Sequence, residues 1–195
     1  MDIPEYKKLR AAIERFVTLS SEDWLLLEKA LSIRTIKKNG LFATEGKKAT
    51  EVGFLLEGNM RHYYTKDGEE KTTYFYFENH FVAAYISCIT QQPSQLSIEA
   101  LTDCTMLVFP YQTLVELYAI SHTWERFGRL LAEYLAIGLE ERMVALLMQT
   151  PEERYRQLLE GNKQKIIERI PQHLIASYLG ITPVSLSRIR NRTIK

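Results

Sequence analysis

The chain has 195 residues, enough for one large domain or two small ones, and its 46% hydrophobic and 25% charged residues exclude a disordered or low-complexity protein. The formal net charge of the chain is +1. Residues 161–195 carry seven Lys or Arg and a single acidic side chain, Glu168, so the net charge of this segment is +6 and that of the remaining chain is −5. No stretch reaches about 20 apolar residues and the N-terminus lacks the apolar core of a signal peptide, so we expect a cytoplasmic protein without a membrane partner.

The N-terminal part of the chain has the periodicity of helices. Apolar residues recur at steps of three and four over residues 3–16, which predicts an amphipathic helix. Ser20 or Ser21 can cap a second helix, in which Trp24 and Leu27 would face inward. We expect both helices to pack on the structure that follows them.

Residues 32–109 are predicted to form short β-strands. β-rich runs alternate there with turn signals, and strands at this spacing are typical of a β-sandwich or jelly roll. The turn signals are Asn39-Gly40, Glu45-Gly46, Glu57-Gly58-Asn59 and Lys66-Asp67-Gly68. Because helical patterns return after Pro110, the predicted fold class is α+β with an N-terminal β-sandwich or jelly roll.

Cysteine and histidine usage indicates neither a metal site nor a cofactor site. Cys88 and Cys104 lie in apolar surroundings without His or Cys at ligand spacing, so we expect both to pack as small hydrophobic residues in a reducing compartment. The four histidines are scattered along the sequence. We therefore expect no metal and no cofactor.

The longest predicted helix runs from Trp124 to Met148, after a short helix over residues 111–119. It would span ~37 Å at 1.5 Å per residue, too long for a small roll to cover, so its apolar stripe needs a partner helix. A helix draped over its own domain is the alternative. Gly138 would permit close approach of a partner or mark a kink. The predicted dimer interface comprises Phe127, Leu130, Leu131, Tyr134, Ile137 and Val144.

A helix-turn-helix is predicted between Gln172 and Arg192. Ala176 is small where two helices would cross, and Gly180 allows the positive φ that ends a helix before a sharp turn. Thr182 can cap the second helix, and Pro183 suits its first position, where the missing N–H costs nothing. All these residue types fall in the register that the motif requires.

The second helix of this motif is predicted to read DNA. Arg188 can bond guanine O6 and N7 with its planar fork, Ser187 can bond a base or a phosphate, and Val184 can touch a thymine methyl. A helical hairpin with a solvated basic end is the competing interpretation. The predicted DNA-binding residues are Thr182, Pro183, Val184, Ser185, Ser187, Arg188, Arg190 and Arg192.

Two segments together resemble the bacterial cyclic-AMP receptor protein/Fnr (Crp/Fnr) family of transcription regulators. These are FLLEGNMRHYY with the Asp67-Gly68 hairpin that follows it, and IASYLGITPVSLSRIR near the C-terminus. The resemblance covers the chain from about residue 25 onward. It implies a β-roll sensor domain like those that bind cyclic nucleotides (residues 1–120), a dimerisation helix (121–149) and a helix-turn-helix domain (150–195).

The same resemblance implies the partners of the protein, namely double-stranded DNA, a second copy of the chain and RNA polymerase. Many family members continue past the recognition helix into a β-hairpin wing, whereas this sequence stops at Lys195, so we expect a reading head without a wing. Many also place Glu where Val184 stands, so we expect an operator that departs from the family's usual one. Ser187 and Arg188 match the family pattern.

The nucleotide-binding residues of the family have no counterparts in this sequence. Family members that bind cyclic nucleotides use a Gly-Glu pair and an Arg-Ser or Arg-Thr pair, where this chain has Ala83-Ala84 and Ser94-Gln95. No Lys or Arg occurs between Lys71 and Arg126, so a phosphate would lack a bidentate cation, and we expect no response to cyclic AMP. Iron–sulfur members use four Cys ligands, and this chain has two Cys.

An aromatic run offers an alternative use for the roll, an apolar pocket for an unknown effector. Alternating aromatic residues in a strand are more often core, so core packing is the competing interpretation. The residues assigned to this candidate pocket are Tyr74, Tyr76, Phe81, Ala83, Ala84, Tyr85, Ser94 and Gln95.

The sequence thus predicts a homodimeric transcription regulator, not an enzyme, that reads a near-palindromic operator through helix 182–192. Two other classes stay open. One is a β-roll that binds a small molecule and whose helical tail contacts a protein partner. The other is a metal-dependent jelly-roll enzyme, for which His62 and His80 supply no third ligand.

Overall fold

The computed structural model describes residues 3–160 and 164–193. Within these ranges the chain forms helices and short strands in the predicted order. The helices are α1 (Pro4–Glu14), α2 (Ser21–Glu28), α3 (Tyr85–Thr90), α4 (Tyr111–Ile120), α5 (His122–Met148), α6 (Pro151–Glu160), α7 (Gln164–Arg169), α8 (Gln172–Leu179) and α9 (Pro183–Thr193). The strands are β1 (Ser32–Ile36), β2 (Leu41–Ala43), β3 (Glu51–Glu57), β4 (Met60–Lys66), β5 (Glu69–Tyr76), β6 (Phe81–Val82), β7 (Ser97–Ala100) and β8 (Cys104–Pro110). None of the described helices is long and apolar enough to cross a membrane.

The chain divides into two compact units. Unit 1 comprises Met1–His62 and Phe75–Tyr134, and unit 2 comprises Tyr63–Tyr74 and Leu135–Lys195. The tip of the β4–β5 hairpin therefore belongs to the same unit as the helix-turn-helix. The three-part division expected from the sequence stays a prediction.

The strands build two four-stranded sheets, with the orders β1-β8-β3-β6 and β2-β7-β4-β5. The central strands β3 and β8 are antiparallel and pair Phe54 with Leu107 and Leu55 with Met106. Because side chains alternate across a strand, Phe54 and Leu107 point to one face of the sheet and Leu55 and Met106 to the other. Both faces of this sheet are thus covered.

Each face contributes to its own core cluster in unit 1. The cluster between the sheets includes Ile98 and Cys104. Cys88 and Cys104 are buried free thiols, as expected. The second cluster joins the sheet to the N-terminal helices and to the start of α5 through Leu9 and Trp124, which are both fully buried. This packing fixes the first turns of α5 against the roll.

The structure confirms the predicted Asp67-Gly68 turn and the serine cap of α2, and it shifts the start of the long helix. The β4–β5 hairpin turns at Asp67 and Gly68, with φ of 53° and 78°, and two consecutive positive φ angles are what a two-residue type I′ turn requires. Ser20 caps α2 by accepting a hydrogen bond from the Asp23 N–H at 2.9 Å. The long helix begins at His122, two residues before the predicted start, and ends at Met148 as predicted.

Candidate nucleic-acid interface

Helices α8 and α9 form the helix-turn-helix in unit 2. At the end of α8, Gly180 has a φ of 71°, and its N–H donates to Ser177 O at 3.0 Å while the Ile181 N–H donates to Ala176 O at 3.0 Å. A Cβ on Gly180 would come no closer than 3.7 Å to Leu146, an ordinary contact. Glycine is therefore favoured here by the left-handed backbone rather than by lack of space.

Thr182 caps α9. Its hydroxyl accepts a hydrogen bond from the Ser185 N–H at 3.2 Å, and its carbonyl accepts one from the Leu186 N–H at 3.0 Å. Pro183 follows at the first helical position, where the absent N–H leaves no donor unsatisfied. The turn and the cap together fix where α9 starts.

The apolar side of the motif is buried as the sequence register predicts. Ala176 is completely buried, and Leu186 and Ile189 are 1% and 8% exposed. Leu174, Ile175, Tyr178 and Leu179 complete the buried face of α8. The small side chain at position 176 lets α9 approach closely.

The opposite side of α9 presents polar and basic side chains to solvent. Val184, Ser187, Arg188 and Arg192 are exposed, whereas Arg190 is half-buried. Among the described residues no carboxylate pairs with these three arginines. Ser185 is half-buried and its hydroxyl lies 3.0 Å from the Thr182 hydroxyl, so both of these predicted DNA-binding residues take part in the cap.

Two arginines hold the last turn of α8, and sequence analysis did not identify either. Arg154 of α6 is 8% exposed and donates to Leu179 O at 2.8 Å and 3.2 Å and to Gln149 O at 2.5 Å. Arg142 of α5 donates to Tyr178 O, and its guanidinium lies 3.9 Å from the centre of the Tyr178 ring. Cationic groups near helix C-termini are favourable, so both side chains act as caps.

Burial has a cost for these cations. Desolvation lowers the pKa of the Arg142 guanidinium from its ordinary value, partly offset by Tyr178 and reinforced by the nearby Arg154. The sequence contained a signal for the buried position of Arg154. This charged residue lies four positions before Leu158, on the apolar side of an amphipathic helix. A charge at such a position indicates a specific buried partner.

The residues assigned to an effector pocket differ in their exposure to solvent. Tyr76, Ala84 and Ser94 are buried, Phe81 and Ala83 are partly buried against a core cluster, and Tyr85 and Gln95 are exposed. Tyr74 is 39% exposed and belongs to unit 2. The Ser94 hydroxyl is used within its own turn, where it donates to Leu96 O at 2.8 Å and accepts from the Leu96 N–H at 3.2 Å.

The residues assigned to a dimer interface divide along the length of α5. Phe127 is 2% exposed and lies in the core of unit 1, and Leu130 and Leu131 pack partly against that core. Phe127 is thus buried within its own protomer. Tyr134, Ile137 and Val144 are 63%, 59% and 46% exposed.

A protein-family model for the cyclic nucleotide-binding domain matches residues 33–121. Over this segment the chain is similar to that family. The matched segment runs from β1 to the residue between α4 and α5. Ala84 and Ser94, which the sequence analysis predicts to replace the Glu and the Arg of the family's nucleotide binders, are both buried.

Most of the chain shares the fold of solved structures, among them a putative Crp/Fnr-family regulator. It is 20% identical to FixK2 from Bradyrhizobium japonicum, with 83% of each chain covered and a TM-score of 0.69. It is 18% identical to a putative Crp/Fnr-family transcriptional regulator from Eubacterium rectale, with 90% of this chain and 84% of that chain covered and a TM-score of 0.69. The catabolite activator protein of Thermus thermophilus is also 18% identical, over 93% of this chain and 85% of that one, with a TM-score of 0.57. No curated protein matches the sequence.

The fold expected from the resemblance, with a β-roll, a long helix and a C-terminal helix-turn-helix, is thereby confirmed. Among the residues that the structure describes, no group of three or more His, Cys, Asp or Glu side chains is placed to hold a metal ion.

Proposed function

We propose that the protein is a cytoplasmic, homodimeric transcription regulator that binds a near-palindromic operator and does not respond to cyclic AMP. The observation that carries this proposal is the exposed face of α9, where Ser187 and Arg188 are open to solvent on a complete helix-turn-helix. In motifs of this kind the second helix enters the major groove. We also propose RNA polymerase as a protein partner.

Charge supports the choice of a nucleic acid as the partner. The segment 161–195 has a net charge of +6 on a chain whose remainder is negative, and Arg188 and Arg192 are not neutralised by carboxylates in the described part of the chain. A basic module on an acidic body favours phosphate contact at the reading head and repels DNA elsewhere. If the C-terminal helices contacted a protein instead of DNA, this separation of a basic segment from an acidic body would not be needed.

Dimerisation follows from the exposure of the C-terminal half of α5. From Tyr134 to Met148 this helix exposes large apolar side chains on more than one side, and Leu139 and Met148 are 69% and 79% exposed. A large exposed apolar surface of this kind marks an interaction site. The occupant we propose is the same helix of a second copy, since Tyr134, Ile137 and Val144 recur at near-heptad spacing.

Gly138 fits the same proposal. A Cβ at this position would meet no atom of the described residues within 4 Å, and α5 continues through it without a break. The glycine therefore serves no packing purpose in one chain, and it allows a second helix to approach the middle of the seam. Two recognition helices related by this dyad would read half-sites about 34 Å apart.

The insensitivity to cyclic AMP rests on two side chains of the roll. Ala84 offers no carboxylate for a ribose hydroxyl, and the hydroxyl of Ser94 donates its hydrogen bond to Leu96 O within its own turn. Without a guanidinium, a cyclic phosphate would lose its charge-assisted bidentate hydrogen bonds. An effector of another class remains compatible with the roll.

Selection of bound fragments from a random duplex library, with and without cyclic AMP, tests all three parts of this proposal. We expect the same palindromic motif in both arms. Absence of any enriched motif would overturn DNA reading, and enrichment of a single half-site without a dyad would overturn the dimer. A motif that appears only with the nucleotide would overturn the assignment of Ala84 and Ser94 as a lost site.

A further inference from the structure

In the tip of the β4–β5 hairpin, residues 63–74, Thr72 is buried although most of its neighbours are exposed. Thr72 is 3% exposed, whereas Glu70 and Lys71 before it are exposed and Tyr74 after it is 39% exposed. β5 is the last strand in its sheet, so its outer side carries backbone groups without a strand partner. Backbone groups at this edge, on Glu70 and Thr72, are bonded by another element of unit 2.

That element is α8, and the contact is made by the hydroxyl of Ser177. The Ser177 Oγ accepts a hydrogen bond from the Thr72 N–H at 3.0 Å and donates one to Glu70 O at 3.1 Å. Residues two apart on a strand direct their backbone groups to the same edge, so one hydroxyl can serve a donor and an acceptor there. Ser177 thus completes the open edge of β5 as a neighbouring strand would.

The same turn of α8 is held from other directions. Ser177 bonds the hairpin tip, the Tyr178 carbonyl and ring contact Arg142 of α5, and the Leu179 carbonyl accepts from Arg154 of α6. Three consecutive residues of the first helix of the motif are therefore tied to three different elements of unit 2. The two arginine contacts join α8 to other helices, while the Ser177 contact joins it to a segment of the roll's own hairpin.

We propose that Ser177 is a latch that ties the helix-turn-helix to the hairpin tip and so preorganises the motif for DNA. This inference rests on the proposed function, because its consequence is read out in operator binding. The latch uses α8, and the exposed residues Ser187 and Arg188 of α9 stay uncovered while it is closed. A motif that is already held in the arrangement that binds DNA loses less conformational entropy on binding. The latch therefore raises affinity without touching DNA.

Ser177→Ala is the variant that opens the latch. Alanine is the best helix former, so the substitution removes the hydroxyl without weakening α8. Ser177→Thr, which keeps a hydroxyl on the same carbon, is the matched control. Both proteins would be compared with the wild type as full-length chains by amide hydrogen exchange and by titration with the selected operator.

We expect the Thr72 amide to exchange about tenfold faster in Ser177→Ala, because its hydrogen-bond partner is removed and it becomes open to water. Amides of the β3–β8 ladder should be unchanged. The dissociation constant for the operator should rise about fivefold, as for the loss of one ordinary hydrogen-bond contribution, and Ser177→Thr should lie near the wild type in both measurements.

Equal exchange of the Thr72 amide in wild type and Ser177→Ala would overturn the latch. Faster exchange with unchanged or tighter operator binding would overturn preorganisation, since the contact would then be neutral or inhibitory. A wild type that binds no duplex overturns the proposed function, and the exchange measurement still decides whether the latch is closed in solution.

Discussion

At the scale of single residues, His62 on β4 makes stability depend on pH. Burial lowers the pKa of His62 from its ordinary 6.5 to about 4. Between these values the unfolded chain binds a proton that the folded chain does not, so the free energy of unfolding falls as pH drops from 6.5 through 4. The full loss is about 3 kcal/mol at 1.36 kcal/mol per pKa unit.

Urea unfolding at several pH values between 7 and 4.5 measures this effect. His62→Gln removes the titrating group, so its free energy of unfolding should vary less with pH over this range than that of the wild type. The carboxylates with lowered pKa, such as Asp23 and Asp103, titrate lower and contribute alike to both proteins. Parallel curves for the two proteins would contradict the assignment to His62.

The reading role of Arg188 is a second prediction at this scale. Arg188→Ala should cost about 1–3 kcal/mol of operator binding and relax one base position in each half-site, because a bidentate contact to guanine is lost. Arg192→Ala, at an equally exposed arginine in the last turn of α9, is the control and should weaken binding evenly across sequences. An even loss for Arg188→Ala as well would make Arg188 a phosphate contact only. Binding arrays of single-base operator variants distinguish the two patterns.

At the scale of elements, local chemistry was sufficient to predict the turns and the helix-turn-helix. The Asp67-Gly68 pair fixes its turn through two positive φ angles, and Gly180 and Thr182 fix the end of α8 and the start of α9. Each of these signals depends on residues within a few positions of one another. A single sequence therefore contains them in full.

Other elements depended on contacts between distant parts of the chain, which no local pattern records. Periodicity gave the apolar stripe of α5 but not the point at which unit 1 stops covering it, so Phe127 was grouped with Ile137 although their exposures are 2% and 59%. The capping role of Arg154 joins residues 25 positions apart, and Ser177 and Thr72 are 105 apart. These contacts depend on tertiary packing.

At the scale of the whole molecule, α5 decides whether the protein reads one half-site or two. The double substitution Ile137→Glu and Val144→Glu should yield monomers. Both exposed side chains lie on the proposed seam, so the new carboxylates of one copy would repel those of the other. Leu139→Glu is the matched control, since Leu139 is 69% exposed but lies about 200° around the helix from Ile137. Sedimentation equilibrium should show monomers for the double variant and dimers for the control.

Operator binding should follow the oligomeric state in these variants. A dimer holds its second recognition helix near the second half-site, so the second contact forms at high effective concentration, whereas a monomer must bind each half-site independently. The double variant should therefore lose specific binding although α9 and Arg188 are unaltered. A double variant that stays dimeric would place the seam on another face of α5, and a monomer with undiminished operator affinity would mean that the protein reads DNA without a dyad.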